Sequence, residues 1–383
     1  MYIIRGKYNI AKIMLADNQF LDEATTSQIY SMLANPAFKG KPIVIMPDAH
    51  KGSGSCIGFT MPMNDHVIPN VVGVDISCGV DGYNLGKLEL TYNDLNDFYN
   101  YIIKNIPSGF NVREKEVDTF HHDWAQSKDK ITDLCRKMDI KEGRVWDSIG
   151  TLGGGNHYIE LNKDPEDNVW LTIHSGSRNF GLQVCNYHQG KAKNLMQEVF
   201  IGVAYKGLEF LPLAKGGSEY LEDMQVAQEY ARVNRDVMAE IIWADYFGKR
   251  VVSEQIKTVH NYINFKDNIV RKGAISAQKD ERVLIPLNMR DGIIVRRGKG
   301  NSEWNFSAPH GAGRVLSRSQ AKKEITLEKM QEDMKGIFSK SIGMATIDEA
   351  PDAYKNADDI IDAIGPTIDI DFIMNPIFNF KAG

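Results

Sequence analysis

Val169-Trp170-Leu171-Thr172-Ile173 runs directly into His174-Ser175-Gly176-Ser177-Arg178, and this stretch sets both the fold class and the place of the chemistry. A short run of β-branched, aromatic and aliphatic residues closed by turn-forming ones reads as a buried strand. A strand that ends this way delivers His174 to the rim of a pocket and passes into a loop. Pro42-Ile43-Val44-Ile45-Met46 before Pro47-Asp48-Ala49-His50-Lys51-Gly52, and Ile68 to Val74 before Asp75, have the same form and are read as buried strands ending in functional loops. Val283-Leu284-Ile285-Pro286 and Gly292-Ile293-Ile294-Val295 return to strand character. Between them, residues 92–147 are polar with helical spacing. From Ser218 to Phe247 apolar residues recur at Leu221, Met224, Ala227, Ala231, Val237, Ile241 and Ile242, the pattern of one long amphipathic helix. The expected class is α+β, with mixed sheets at the centre and helices outside.

Composition narrows the function classes. A chain of 383 residues with 43% hydrophobic and 25% charged residues has the makeup of a soluble globular protein with a large core. No linker, repeat or low-complexity run divides it, so a single domain over residues 1–383 is expected. Cys56, Cys78, Cys135 and Cys185 have neither the pairing of a zinc ribbon nor the density of a disulfide scaffold, which points to a reducing cytoplasm. No apolar run approaches the roughly 20 residues of a spanning helix, so no membrane partner is expected. The net charge of −5 argues against a generally basic coat for nucleic acid, but Arg271 to Lys323 holds 12 Lys/Arg against 4 Asp/Glu. That +8 segment is read as a surface for a polyanion, with Arg296, Arg297 and Lys299 among its contacts. The compensating acid lies in Asp348 to Asp371.

The chemistry gathers in glycine-framed motifs. His310-Gly311-Ala312-Gly313-Arg314 fits neither the helical nor the strand period, and its glycines let backbone approach a bound group closely. Arg314 and Arg318 offer planar forks suited to phosphate. Asp75 and Cys78 are three residues apart, close enough to reach one metal from a single turn. Gly153-Gly154-Gly155-Asn156-His157 precedes Tyr158 and Glu160, and His260-Asn261 follows the long helical region. Several histidines with one thiol and one carboxylate form a ligand set for manganese, zinc or iron. If His157, His174 and His260 complete that set, His310 is left free to attack a phosphorus atom whose charge the metals neutralise.

Taken together, Asp75-x-x-Cys78-Gly79, Gly150 to His157, His174 to Arg178, His260-Asn261 and His310 to Arg314 resemble the RtcB family of RNA ligases over nearly the whole chain, with Met46 to His50 and Lys381 as further matching positions. The resemblance implies a GTP- and manganese-dependent enzyme that joins an RNA 2′,3′-cyclic phosphate or 3′-phosphate to a 5′-hydroxyl through a histidine-GMP intermediate on His310. It implies that Asp75, Cys78, His157, His174 and His260 hold two Mn(2+) ions, with Cys78 bridging. Asn156 and Glu160 would contact the nucleotide, Lys381 the guanine, and Arg178 and Arg314 phosphates. Asp48 would assist the chemistry, and Gly311, Gly313 and Asn288 would border the nucleotide. Two departures stand out: Ser77 where glycine is common, and Pro286 to Gly292 where many members carry a Ser-Met-Gly turn. Asn288 and Arg290 are expected to bring new hydrogen bonds and charge near the nucleotide or RNA end, as in a divergent bacterial branch. Two other readings stay open: a metal-dependent phosphohydrolase or nuclease activating water, and a non-catalytic RNA-binding paralogue.

Overall fold

The computed structural model describes residues 2–16, 20–117, 124–199, 205–248 and 252–382. Its larger sheet has seven strands in the order Glu254–Val259, Gly79–Lys87, Asn168–Ser175, Tyr158–Lys163, Ile368–Lys381, Gly292–Gly298 and Arg282–Asn288, every neighbouring pair antiparallel. A six-stranded sheet runs Tyr2–Arg5, Ile10–Ile13, Ile43–Ile45, Phe59–Pro62, Ile269–Lys272 and Tyr262–Asn264, with one parallel pair, Ile10–Ile13 beside Ile43–Ile45. Helices Arg178–Val199 and Gly217–Glu240 pack in a common core with the six-stranded sheet, where Phe180, Tyr220 and Tyr230 meet Ile43, Ile45 and Phe59. Helix Tyr92–Asn105 closes a second core over the larger sheet, placing Phe98 and Ile102 with Tyr83 and Phe378. The architecture is α+β, and among the described residues no helix is long and apolar enough to cross a membrane.

The expected strands at 43–46, 169–173, 283–286 and 292–295 form, the last two as an antiparallel hairpin. The long helix starts at Gly217, and its last turn widens to π geometry over Ile241–Tyr246. Helices Tyr92–Asn105, Ala125–Lys137 and Glu142–Asp147 fill the expected helical region, of which residues 118–123 lie outside the described ones. One expectation fails. Pro69–Val72, within the segment read as a strand, is a helical turn. Proline at its first position is pre-set for helical φ, and Gly73 at φ 104 ends it, so a continuous apolar run misled the reading.

Register lines the ends of adjacent strands up. Gly79 lies opposite both Val259 and Ser175, while Tyr158 lies opposite both His174 and Lys381. Cys78, His157, His174, His260 and Lys381 therefore emerge at one end of five neighbouring strands. The helix Gly217–Glu240 fixes those ends. Arg235 Nη1 donates to the carbonyls of Ser77 (2.7 Å) and Ser175 (3.1 Å), and its Nε pairs with Asp81 at 2.9 Å. Next to it, the Asn234 amide bonds both backbone groups of Thr151 and the carbonyl of Gly176.

Arg235 and Asp81 are fully buried, and breaking such a pair from one side leaves a charge without compensation. Arg235→Leu is expected to lower unfolding free energy in urea by about 3–5 kcal/mol. The double variant with Asp81→Leu should recover part of that loss. A single-variant loss below about 1 kcal/mol would show that the pair does not hold the strand ends.

Candidate metal and nucleotide site

The coordinating atoms stand in a row. His157 Nε2 is 2.9 Å from Asp75 Oδ2 and 3.4 Å from Cys78 Sγ, Cys78 Sγ is 3.2 Å from His174 Nε2, and His174 Nε2 is 3.3 Å from His260 Nε2. Second partners orient the rings. His157 Nδ1 donates to the Leu152 carbonyl at 2.9 Å and His174 Nδ1 to the Asn156 carbonyl at 3.1 Å, so both turn Nε2 inward. Ser177 N–H donates to Asp75 Oδ1 at 3.1 Å, and a Cβ on Gly176 would overlap the Asp75 carboxylate, which is why that loop position takes glycine. Ser77 itself holds φ 58, the left-handed region glycine enters freely.

The donor set fits cations. Two ligand atoms about 2.0–2.3 Å from one tetrahedral ion lie roughly 3.3–3.8 Å apart, the spacing seen around Cys78. Cys78, His157 and His174 are all buried, with ligand atoms within 4.8 Å of one another. Burial holds His174 and His260 well below the usual histidine range, helped by neighbouring histidines, which leaves both neutral as a metal ligand would need to be. Burial also pushes the Cys78 thiol well above its ordinary value, and the Asp75 carboxylate adds to this. A divalent ion reverses that preference, because a coordinated thiol is deprotonated outright. Asp75 is held at about 2 despite burial, chiefly through its bond to His157.

His310 comes from the other side. It follows the short strand Ser307–Pro309, and Asp48 follows Ile43–Ile45 in the six-stranded sheet. Asp48 Oδ2 accepts from His310 Nδ1 at 2.6 Å and from His310 N–H at 3.1 Å. A carboxylate can only accept here, so Nδ1 carries a proton and Nε2 is the nitrogen not committed to Asp48. A Cβ on Gly313, at φ +76, would overlap the Asp48 backbone. The His310 ring centre is 4.6 Å from that of His260, which joins the nucleophile-type histidine to the row.

A cavity of about 740 Å³ opens over these groups and is bordered by every residue expected to meet the nucleotide except Arg178. On its far wall Glu349 receives Lys381 (3.2 Å), Arg314 (3.2 Å), Arg318 (2.9 Å) and the Tyr354 hydroxyl. Burial alone would raise Glu349, but Lys381 and Arg318 bring it to about 2. Glu349 and Tyr354 were not found from the sequence, since nothing near them in the chain marks them. Arg178 borders a second cavity, of about 550 Å³, together with Asp75 and His157.

Several expected contacts are corrected. Arg314 borders the cavity, yet its guanidinium is engaged by Glu349 and by the carbonyls of Leu316 and Asp348. Asn288 also borders it, with its amide donated to Asp291 at 2.7 Å. Arg290 turns to Asp291 (2.7 Å) and Asp333 (3.0 Å) and does not line the cavity. The segment read as a polyanion surface is largely neutralised: Arg297 and Arg282 face Asp371, Lys299 faces Asp369, and Arg318 and Lys322 face Asp348. Arg296 is fully buried and cannot meet RNA.

A family model described as "tRNA-splicing ligase RtcB" matches residues 28–382. The chain belongs to the RtcB family. It is 30% identical to a protein named RNA-splicing ligase RtcB from Escherichia coli strain K12, with 94% of each chain covered. It is 30% identical to an RNA-splicing ligase RtcB from Mycobacterium bovis, covering 83% of this chain and 91% of the relative. It is 27% identical to a tRNA-splicing ligase RtcB from Methanococcus maripaludis, covering 89% and 88%.

Glu160 gives this RtcB site a pH signature. Burial raises it from 4.5 to about 7, partly offset by Asn379 and Lys381. Between those values the folded chain holds a proton that the unfolded chain has released, so stability falls as pH rises from about 4.5 to about 7, by up to about 3 kcal/mol. Glu160→Gln should flatten that stretch of the pH–stability curve measured by urea unfolding. Identical slopes in both proteins would mean Glu160 ionises freely.

Proposed function

We propose that the chain is an RNA ligase that uses GTP and manganese to join an RNA 3′-phosphate, or a 2′,3′-cyclic phosphate once opened to it, to a 5′-hydroxyl. The observation that carries this reading is the His310–Asp48 pair at the end of the row of coordinating atoms. A water-activating phosphohydrolase would use an imidazole whose Nδ1 is fixed by a buried carboxylate as a general base, whereas a ligase uses it as the nucleophile that carries GMP, so a covalent adduct separates the two. Asp48 is wholly buried and its second oxygen has no hydrogen-bond partner among the described residues, so the acceptor is committed to His310 and would stabilise positive charge on the ring as Nε2 attacks.

In this scheme His310 Nε2 attacks the α-phosphorus of GTP and pyrophosphate leaves. The GMP passes to an oxygen of the RNA 3′-phosphate, breaking the P–N bond. The 5′-hydroxyl oxygen then attacks that 3′-phosphorus; a P–O bond forms, GMP departs with its electron pair, and the hydroxyl proton goes to water. Asp75, Cys78, His157, His174 and His260 would hold two manganese ions, which supply charge neutralisation on the phosphates. Asn156, Glu160, Gly311 and Gly313 border the nucleotide space, and Lys381 would reach the guanine. Arg178 and Arg314 would meet phosphates, Arg314 from the large cavity and Arg178 from the second, each with its guanidinium also bonded within the protein.

Incubation with α-labelled GTP and manganese should give an acid-labile GMP adduct on the protein. His310→Ala should abolish the adduct with manganese content within about 20% of the starting protein, since His310 is not among the ligands. A hydrolase would carry no label, and metal loss equal to that of His174→Ala would move His310 into the coordination shell. Cys78→Ser should lose manganese as completely as any single histidine variant, because a neutral hydroxyl is a poor stand-in for a thiolate. Full occupancy in that variant would remove Cys78 from the set.

A further inference from the structure

The second cavity, bordered by Arg178 but by none of the other residues assigned to the nucleotide, reaches the same row of groups. The row runs Asp75, His157, Cys78, His174, His260, His310 by successive contacts. The large cavity borders Asp75, Cys78, His174, His260 and His310, the second opens on Asp75 and His157, and the two meet at Asp75. Phosphoryl transfer needs the attacking and leaving oxygens roughly in line across phosphorus. With GMP departing into the large cavity, the second cavity is another opening from which an attacking strand can reach the row.

The rim of the second cavity suits a single strand. Phe110 is 95% exposed, an unusual setting for a phenyl ring, and it sits on the turn Ser108–Asn111, closed by Asn111 N–H to the Ser108 carbonyl at 3.2 Å. The backbone on each side of the ring is held by an arginine that lines the cavity. Arg178 Nη2 donates to the Gly109 carbonyl at 2.9 Å, and Arg144 Nη2 to the Phe110 carbonyl at 3.0 Å. A third tie joins Gly109 N–H to the Gly153 carbonyl at 2.9 Å. The result is an exposed aromatic face on a fixed turn, with two guanidinium groups between it and the coordinating residues. Base-on-aromatic stacking with neighbouring cationic groups is how sequence-tolerant single-strand sites are built.

We propose that this cavity receives the 5′-hydroxyl RNA strand, with its terminal bases stacked on Phe110 and its first phosphates against Arg144. This rests on the ligase reading above. It makes Phe110 and Arg144 determinants of acceptor-strand binding, separate from nucleotide use and from binding of the 3′-phosphate strand.

The test uses the full chain with Phe110→Ala, Phe110→Trp and Arg144→Gln. Binding of a fluorescent single-stranded RNA with a 5′-hydroxyl and a blocked 3′ end is followed by anisotropy, and sealing is followed against the concentration of each strand. Phe110→Ala and Arg144→Gln should each weaken binding of the 5′-hydroxyl strand and raise its KM by about tenfold. The KM for the 3′-phosphate strand and the rate of GMP attachment should stay within about twofold, and Phe110→Trp should bind as well as the starting protein or better. Unchanged affinity for the 5′-hydroxyl strand in both variants overturns the proposal, as does a shift confined to the 3′-phosphate strand. Absence of GMP attachment in the unaltered protein would defeat the ligase reading instead, while the anisotropy measurement would still decide whether this cavity holds RNA.

Discussion

A single buried guanidinium holds the working end of the larger sheet in register. Arg235 is bound to the carbonyl just before Cys78 and to the carbonyl just after His174, and it is kept charged in the interior by Asp81. Antiparallel pairing alone would bring those strands together, but strand ends fray where the ladder stops. Tying both ends to one helix residue extends the rigid region up to the coordinating atoms. Asn234 does the same for the loop that carries His157, so adjacent residues of one helix hold three of the five segments that meet there.

What was legible in the sequence follows from the range of the forces involved. The strand ending at His174 was plain because its period and its stop are local, and the same holds for the hairpin at 282–298. The coordinating residues were legible because each stands beside a glycine or a turn residue and off any apolar period. Ile68 to Val74 misled because apolar character does not separate a strand from a helical turn, and the proline that decides it is a single residue. The contacts of Asn288 and Arg290 misled because a turn satisfies itself first: Asp291 is the next residue and Asp333 lies on a distant helix invisible to local reading. Glu349 had no signal at all, since its role exists only when residues 314, 318, 354 and 381 converge on it.

Glu349 also explains the uneven charge. A locally basic segment beside a nucleotide space would attract polyanions without discrimination. Here the acidic segment from Asp348 to Asp371 folds against it, and much of the basic charge becomes structural. Lys381 is held by the same carboxylate, which lowers the freedom its flexible stem would otherwise have to lose on meeting a ligand.

The strand Ile368–Lys381 has a consequence for how the protein is made. It is inserted between Tyr158–Lys163 and Gly292–Gly298, and its Asn379 bonds Glu160, 219 residues earlier in the chain. On the ribosome, the strand Tyr158–Lys163 must therefore wait for its second neighbour while more than half of the chain is translated. Until that strand arrives, Glu160 lacks Asn379, Lys381 is absent and the large cavity has no wall on that side. The nascent chain can bring Cys78, His157 and His174 together early, but it completes the cavity around them only after Ile368–Lys381 has been made.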